Sequence, residues 1–191
     1  MKIFFDTEFT GLHKNTTLIS IGLVSEDGRQ FYAELTDYNA EQCDIWIIDN
    51  VLKNLITYYD YDSKEENKEK YIPNFHFGNK QNIAISLKNW FKQFDYIELV
   101  SDVAHYDFVL FIDLFGTAFD LPENVCPSCY DINQDIARKY SISQQEAFNK
   151  SREDILFQAY KENIIKGEKH NALYDAKVIR ELYQIFNNVK F

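Results

Sequence analysis

The feature that most constrains this chain is a pair of carboxylates at the end of its first apolar run. Lys2-Ile3-Phe4-Phe5 is rich in β-formers and leads directly into Asp6-Thr7-Glu8. On a strand, residues two apart point to the same face. Two acids at the end of a buried strand repel each other and resist losing water, so their site calls for a cation. Acids two apart are common on surfaces. The preceding apolar run is what places this pair at a sheet end and not on an open loop.

The rest of the chain reads as a mixed α/β domain. Leu18–Ser25 and Gln30–Leu35 are strands joined by a hairpin at Asp27-Gly28, so the chain opens as an antiparallel meander. Residues 36–82 read as mostly irregular and helical, with helical spacing over 44–55 and a charged run over 60–70 that reads as a solvated loop or an exposed helix face. Ile83, Leu87, Trp90, Phe91 and Phe94 fit one helical face, 97–100 is a short strand, and 108–115 is a very apolar helix stopped by Gly116. Residues 122–127 read as a loop, and 132–140 and 144–163 as helices. Asn171 caps a last helix over 172–186 with Val178, Leu182 and Ile185 inward. Strands first, then alternation, then helices imply a sheet with helices on its faces. The 191 residues suit one domain, 1–191, and 46% hydrophobic residues can bury a core. No apolar run reaches the ~18 residues of a membrane span, and Asp6 interrupts any signal-peptide core, so a cytoplasmic protein is expected.

Two further motifs carry acids. Asp107 stands at the head of the apolar helix, where its plain reading is an N-cap; Asp102 is a rival in the same loop. His170 and Asp175 share a face only if His170 lies in the loop before the last helix and Asp175 in its first turn. Alone, they read as a surface histidine and a favourable first-turn acid. Together, four carboxylates and a histidine suit hard cations, Mg²⁺ or Mn²⁺. Two such ions about 3.5–4 Å apart can clamp the attacking and leaving oxygens of displacement at phosphorus. A neutral histidine can take the proton of the attacking water.

In this order the motifs resemble those of the DEDDh exonucleases of the ribonuclease H-like fold. Asp6-Thr7-Glu8-Phe9-Thr10-Gly11-Leu12 resembles the opening signature, Ala104-His105-Tyr106-Asp107-Phe108 the middle one, and His170-Asn171-Ala172-Leu173-Tyr174-Asp175-Ala176 the last. Within that superfamily the chain is similar to the bacterial adenylate-preferring 3′–5′ exoribonucleases of ribonuclease AS type. The likeness runs through 5–9, 18–22, 26–29, 46–52 and 98–116, and thins at 56–82 and 140–165. The resemblance implies a mixed five-stranded sheet of order 3-2-1-4-5 flanked by helices. It implies Asp6, Glu8, Asp107 and Asp175 as ligands of two ions, with Asp6 bridging, and His170 as general base. Phe9, Thr10, Gly11 and Leu12 would line the pocket for the 3′-terminal nucleotide, with Tyr106 a further candidate. The substrate would be the 3′ end of single-stranded RNA, with DNA or a non-catalytic binding module as alternatives, and a homodimer is implied. One departure is Val103, where the family often has Asn.

The net charge of −10, from 20 Lys+Arg and 30 Asp+Glu, argues against a protein that grips nucleic acid mainly through a broad basic surface. Two divalent ions would bring it to −6. Cys126 and Cys129 have Cys-x-x-Cys spacing without two further zinc ligands, and read with Cys43 as reduced thiols. His13, His76 and His105 read as surface or loop residues, and Trp46 and Trp90 as core or dimer contacts.

Overall fold

A computed structural model describes residues 1–60, 65–66 and 74–187; most of the charged run 60–70 therefore lies outside the described residues. The main sheet contains β1 (Lys2–Phe9), β2 (Leu18–Ser25) and β3 (Gln30–Leu35), paired antiparallel as the meander predicts. Residues β4 (Tyr59–Asp60) and β5 (Glu65–Glu66) form a separate small ribbon. Then come β6 (Phe75–Gly78), β7 (Ile97–Ser101) and β8 (Val125–Asp131). The order across the sheet is β6-β3-β2-β1-β7-β8, with β6, β7 and β8 each parallel to its neighbour.

Among the described residues the sheet thus has six strands, not five. The sixth, β6, is a four-residue edge strand inside the stretch read as irregular and helical. Its residues are half-buried or exposed, so it lacks the apolar run that marks an inner strand. The segment read as a loop to residue 127 passes into β8. Pro127 stands in that edge strand where its pairing with β7 slips, between Val125 and Cys129, so the missing N–H costs no ladder bond.

The helices are α1 (Ile45–Asn50), α2 (Lys80–Phe91), α3 (Ala104–Phe115), α4 (Asn133–Tyr140), α5 (Gln144–Asn149), α6 (Arg152–Tyr160) and α7 (Ala172–Phe186). The single helix expected over 144–163 is two. Ser143 and Glu146 make a capping box for α5, and Ser151 caps α6 by accepting from the Asp154 N–H, so the chain restarts at 151. Helix α3 starts four residues before the apolar stretch that announced it.

Period-two alternation sorts β1 between two layers. Ile3 and Phe5 pack with Leu87, Phe91 and Phe111 of α2 and α3. Phe4 packs on the other face with Val178, Ile179 and Leu182 of α7. Asp6 and Glu8 continue the Phe4 series, so the acid pair faces the α7 side. Gly22 lies opposite Asp6 on β2, and a Cβ there would sit 2.3 Å from the backbone of Ala172 and Leu173. The missing side chain lets the first turn of α7 rest directly on the sheet. No helix among the described residues is long and apolar enough to cross a membrane.

Candidate active site

Asp6, Glu8 and Asp107 are all buried, at 8%, 8% and 1% exposure, while Asp175 and His170 are half-buried. All five line one cavity of about 900 Å³ at the end of β1. The three sequence motifs, up to 169 positions apart, therefore meet. One ligand atom each from Glu8, His170 and Asp175 lie within 4.8 Å of one another, and the same holds for Asp6, Asp102 and Asp107. The rival Asp102 thus stands beside Asp107 in the same cluster. It is already engaged, since Arg152 Nε donates to its Oδ2 at 3.1 Å.

Asp107 is not an N-cap. Val103 occupies that position, and Asp107 lies in the first turn of α3 with its side chain turned into the protein. Thr7 Oγ1 donates to Asp107 Oδ1 at 2.6 Å, and Ser101 Oγ donates to Oδ2. Thr7 sits between the two acids of β1, and its hydroxyl ties α3 to that strand. The same alternation that sends Asp6 and Glu8 to one face sends Thr7 to the other.

His170 precedes α7 in the left-handed region, at φ 63°, and its backbone N–H donates to Asp175 Oδ2 at 2.8 Å. That bond fixes the loop residue over the first helical turn and brings the two side chains into one group. Asn171 holds the junction: its Oδ1 accepts from the Tyr174 N–H, and its Nδ2 donates to Tyr32 Oη and the Asn54 carbonyl. Tyr32 Oη in turn donates to Glu34 Oε1 at 2.8 Å; Glu34 also accepts from the Ile56 and Thr57 N–H groups. The Trp46 and His170 rings meet in a T-shaped contact, 5.0 Å between centroids.

The electrostatics are those of a site short of positive charge. Burial, then the charges of Asp107, Asp175 and Glu8, pushes the Asp6 carboxyl well above the usual range. Burial followed by Asp175 and Asp107 does the same to Glu8, and burial followed by Asp102 to Asp175. Asp107 is pushed up to about 7 by burial, despite the Ser101 and Thr7 hydroxyls that favour its anion. Burial, helped by Lys169, lowers His170, which keeps its imidazole neutral and able to accept a proton. Oxygen donors crowded without thiolates, all disfavouring their anions, fit a hard divalent ion.

The residues expected to touch the nucleotide divide. Phe9, Gly11 and Leu12 line the cavity, and Leu12 is 77% exposed. Thr10 lines it too, but its hydroxyl donates to Gln42 Oε1 and accepts from the Thr17 N–H, so it braces the loop after β1. Tyr106 stacks on Phe9 at 5.2 Å and backs that ring instead of facing the cavity. One reading is corrected: Trp46 is half-exposed in the cavity wall and not in the core. His13, exposed in the loop after β1 as expected, lines the same wall. His105 is exposed and His76 stacks on Phe31. Cys43, Cys126 and Cys129 are free thiols.

The chain is similar to known proteins in both structure and sequence. The nuclease domain of 3′hExo, a DEDDh family member whose structure holds rAMP, superposes with a TM-score of 0.63 at 14% identity, covering 98% of this chain and 91% of that one. Pop2p of S. pombe, in a form with Mg²⁺ and Mn²⁺ bound, gives 0.58 at 18% identity, covering 100% and 84%. These likenesses establish a ribonuclease H-like fold. In sequence, the 3′–5′ exoribonuclease Rv2179c of Mycobacterium tuberculosis is 32% identical over 127 residues, 65% of this chain and 67% of the relative. The model of the 3′–5′ exoribonuclease Rv2179c-like domain matches residues 1–186, so the chain belongs to that family and its enzyme class is 3′–5′ exoribonuclease.

Proposed function

We propose that this domain removes nucleoside 5′-monophosphates from the 3′ end of single-stranded RNA, with Asp6, Glu8, Asp107 and Asp175 holding two divalent ions and His170 as general base. The observation that carries the reading is the convergence of Asp6, Glu8, Asp107, His170 and Asp175 in one cavity. When bound, Mg²⁺ or Mn²⁺ ions neutralise the phosphate and stabilise charge on the attacking and leaving oxygens. The chain's own part is positional. Asp6 and Glu8 are fixed by the strand, Asp107 by Thr7 and Ser101, and Asp175 by the His170 N–H. His170, neutral and at the cavity wall, takes the proton of the attacking water at a ring nitrogen. Phe9 and Leu12 offer apolar surface to a terminal base, a contact that any base can make. The Mg²⁺ and Mn²⁺ reported for Pop2p support the choice of ions.

The test is product analysis on labelled RNA with Mn²⁺. Wild type should release monophosphates stepwise and stop in EDTA, while His170→Ala and Asp175→Asn lose nearly all turnover and stay folded. Wild-type rates in either variant overturn the assignment. RNA and DNA oligonucleotides in competition decide the sugar preference, since RNA selectivity needs a group that reads the 2′-hydroxyl. A cytoplasmic location and a homodimer belong to the same reading; the dimer would sediment at twice the mass of one chain.

A further inference from the structure

Three large apolar side chains from three separate elements stand exposed in the wall of the acidic cavity. They are Leu12 after β1, Trp46 of α1 and Phe148 of α5, at 77%, 49% and 48% exposure. An acidic floor under an apolar rim suits a ligand with one anionic part and one flat apolar part: the phosphate over the floor through cations, the base against the rim. Phe148 belongs to the corner where α5 ends and α6 begins, and residues 148–153 of that corner all line the cavity.

The corner is held by one largely covered side chain. Arg152 Nη1 donates to the carbonyls of Ala147, Phe148 and Lys150, at 3.0, 2.9 and 2.5 Å. Its Nη2 donates to Asn133 Oδ1 at 2.6 Å and its Nε to Asp102 Oδ2 at 3.1 Å. Asn133 Nδ2 returns a bond to the Asp102 carbonyl at 2.6 Å. The Arg152 and Asp102 side chains are only 11% and 18% exposed. One guanidinium therefore bolts the corner to the residue beside Asp6 and Asp107. A planar fork with five donors can do this where an ammonium cannot.

We propose that the α5–α6 corner is a substrate wall on which Phe148 stacks against a base of the RNA, and that Asp102 and Arg152 form the positioning pair that sets this wall relative to the acidic floor. Asp102 in this arrangement is a tether and not an ion ligand. The inference rests on the nuclease reading above and adds to it a base-contacting residue.

The experiment compares kcat and KM on a ten-nucleotide RNA and on the same RNA with its last two nucleotides abasic, with Mn²⁺ present. Phe148→Ala should lower kcat/KM about tenfold on the intact RNA, the factor that ~1.4 kcal/mol of stacking represents, and less than twofold on the abasic one. Arg152→Lys, which keeps the charge and loses the fork, should reproduce the same base-dependent loss. Asp102→Asn should do so with Mn²⁺ affinity, measured by titration calorimetry without RNA, within twofold of wild type. Equal losses on both substrates, or none, overturn the stacking role. Mn²⁺ binding weakened as much by Asp102→Asn as by Asp107→Asn overturns the tether. A wild type that leaves RNA uncut overturns the nuclease reading and this inference together, whereas a wild type that cuts isolates the result to the corner.

Discussion

Replacing Asp107 with Asn should stabilise the metal-free protein while abolishing its use of metal. Asp107 is 1% exposed, and its carboxyl is raised from the ordinary 3.8 to about 7, chiefly by burial. A carboxyl that binds its proton more tightly when folded adds full stability only below its unfolded pKa; that contribution is lost as pH climbs to the folded value. The window here runs from about 4 to about 7. Moving one carboxyl by that interval corresponds to about 4 kcal/mol of folding free energy. An amide keeps an acceptor for the Thr7 hydroxyl and can donate to Ser101, so about 1 kcal/mol is deducted for weaker hydrogen bonds. Asp107→Asn should thus be about 3 kcal/mol more stable than wild type at pH 8 in EDTA, and equal to it within about 1 kcal/mol at pH 4. Urea unfolding followed by circular dichroism at the two pH values gives both differences. Added Mn²⁺ should raise wild-type stability at pH 8 and leave the variant nearly unmoved. A variant less stable than wild type at pH 8 without metal would refute the claim that the floor is short of positive charge.

Gly22→Ala should destabilise by about 1–3 kcal/mol and cut turnover sharply, because its Cβ would lie 2.3 Å from the backbone of α7; unfolding and kinetics on the same preparation check it. Asn171→Ala removes the cap of α7 and its bonds to Tyr32 and Asn54, at a cost of about 1–2 kcal/mol, with a lower kcat at unchanged substrate KM. Burial lowers His170, so the acid limb of the kcat/KM profile should fall below pH 6.5 and vanish in the residual activity of His170→Ala.

The meander, the apolar helix α3 and the capped α7 were legible because each carries its own periodicity or capping residue. The acid pair of β1 was legible for the same reason: strand alternation fixes where Asp6 and Glu8 face. What stayed hidden depends on contacts between distant segments. Edge strands β6 and β8 lack continuous burial, and Pro127 argued against a strand that an edge position with a slipped register allows. Residue types separated Asp102 from Asp107 only by the aromatic Tyr106 before Asp107 and the apolar helix after it. The difference lies in Arg152, fifty positions on, in a stretch read as the interior of one long helix. Thr7 offered a signal that could have been used, since a hydroxyl between two strand acids must face the opposite layer. Phe148 and Trp46 had none, because an aromatic at helical spacing fits a core equally well.

The alternation along β1 ties foldability to chemistry. Phe4 anchors the layer that Asp6 and Glu8 then overlook, and Ile3 and Phe5 fill the other. Sliding β1 by one peptide against β2 would bury both carboxylates among the rings of α2 and α3 and turn Phe5 toward α7. A misthreaded molecule of that kind could neither pack nor recruit ions, so an inactive yet well-packed register has no route to accumulate.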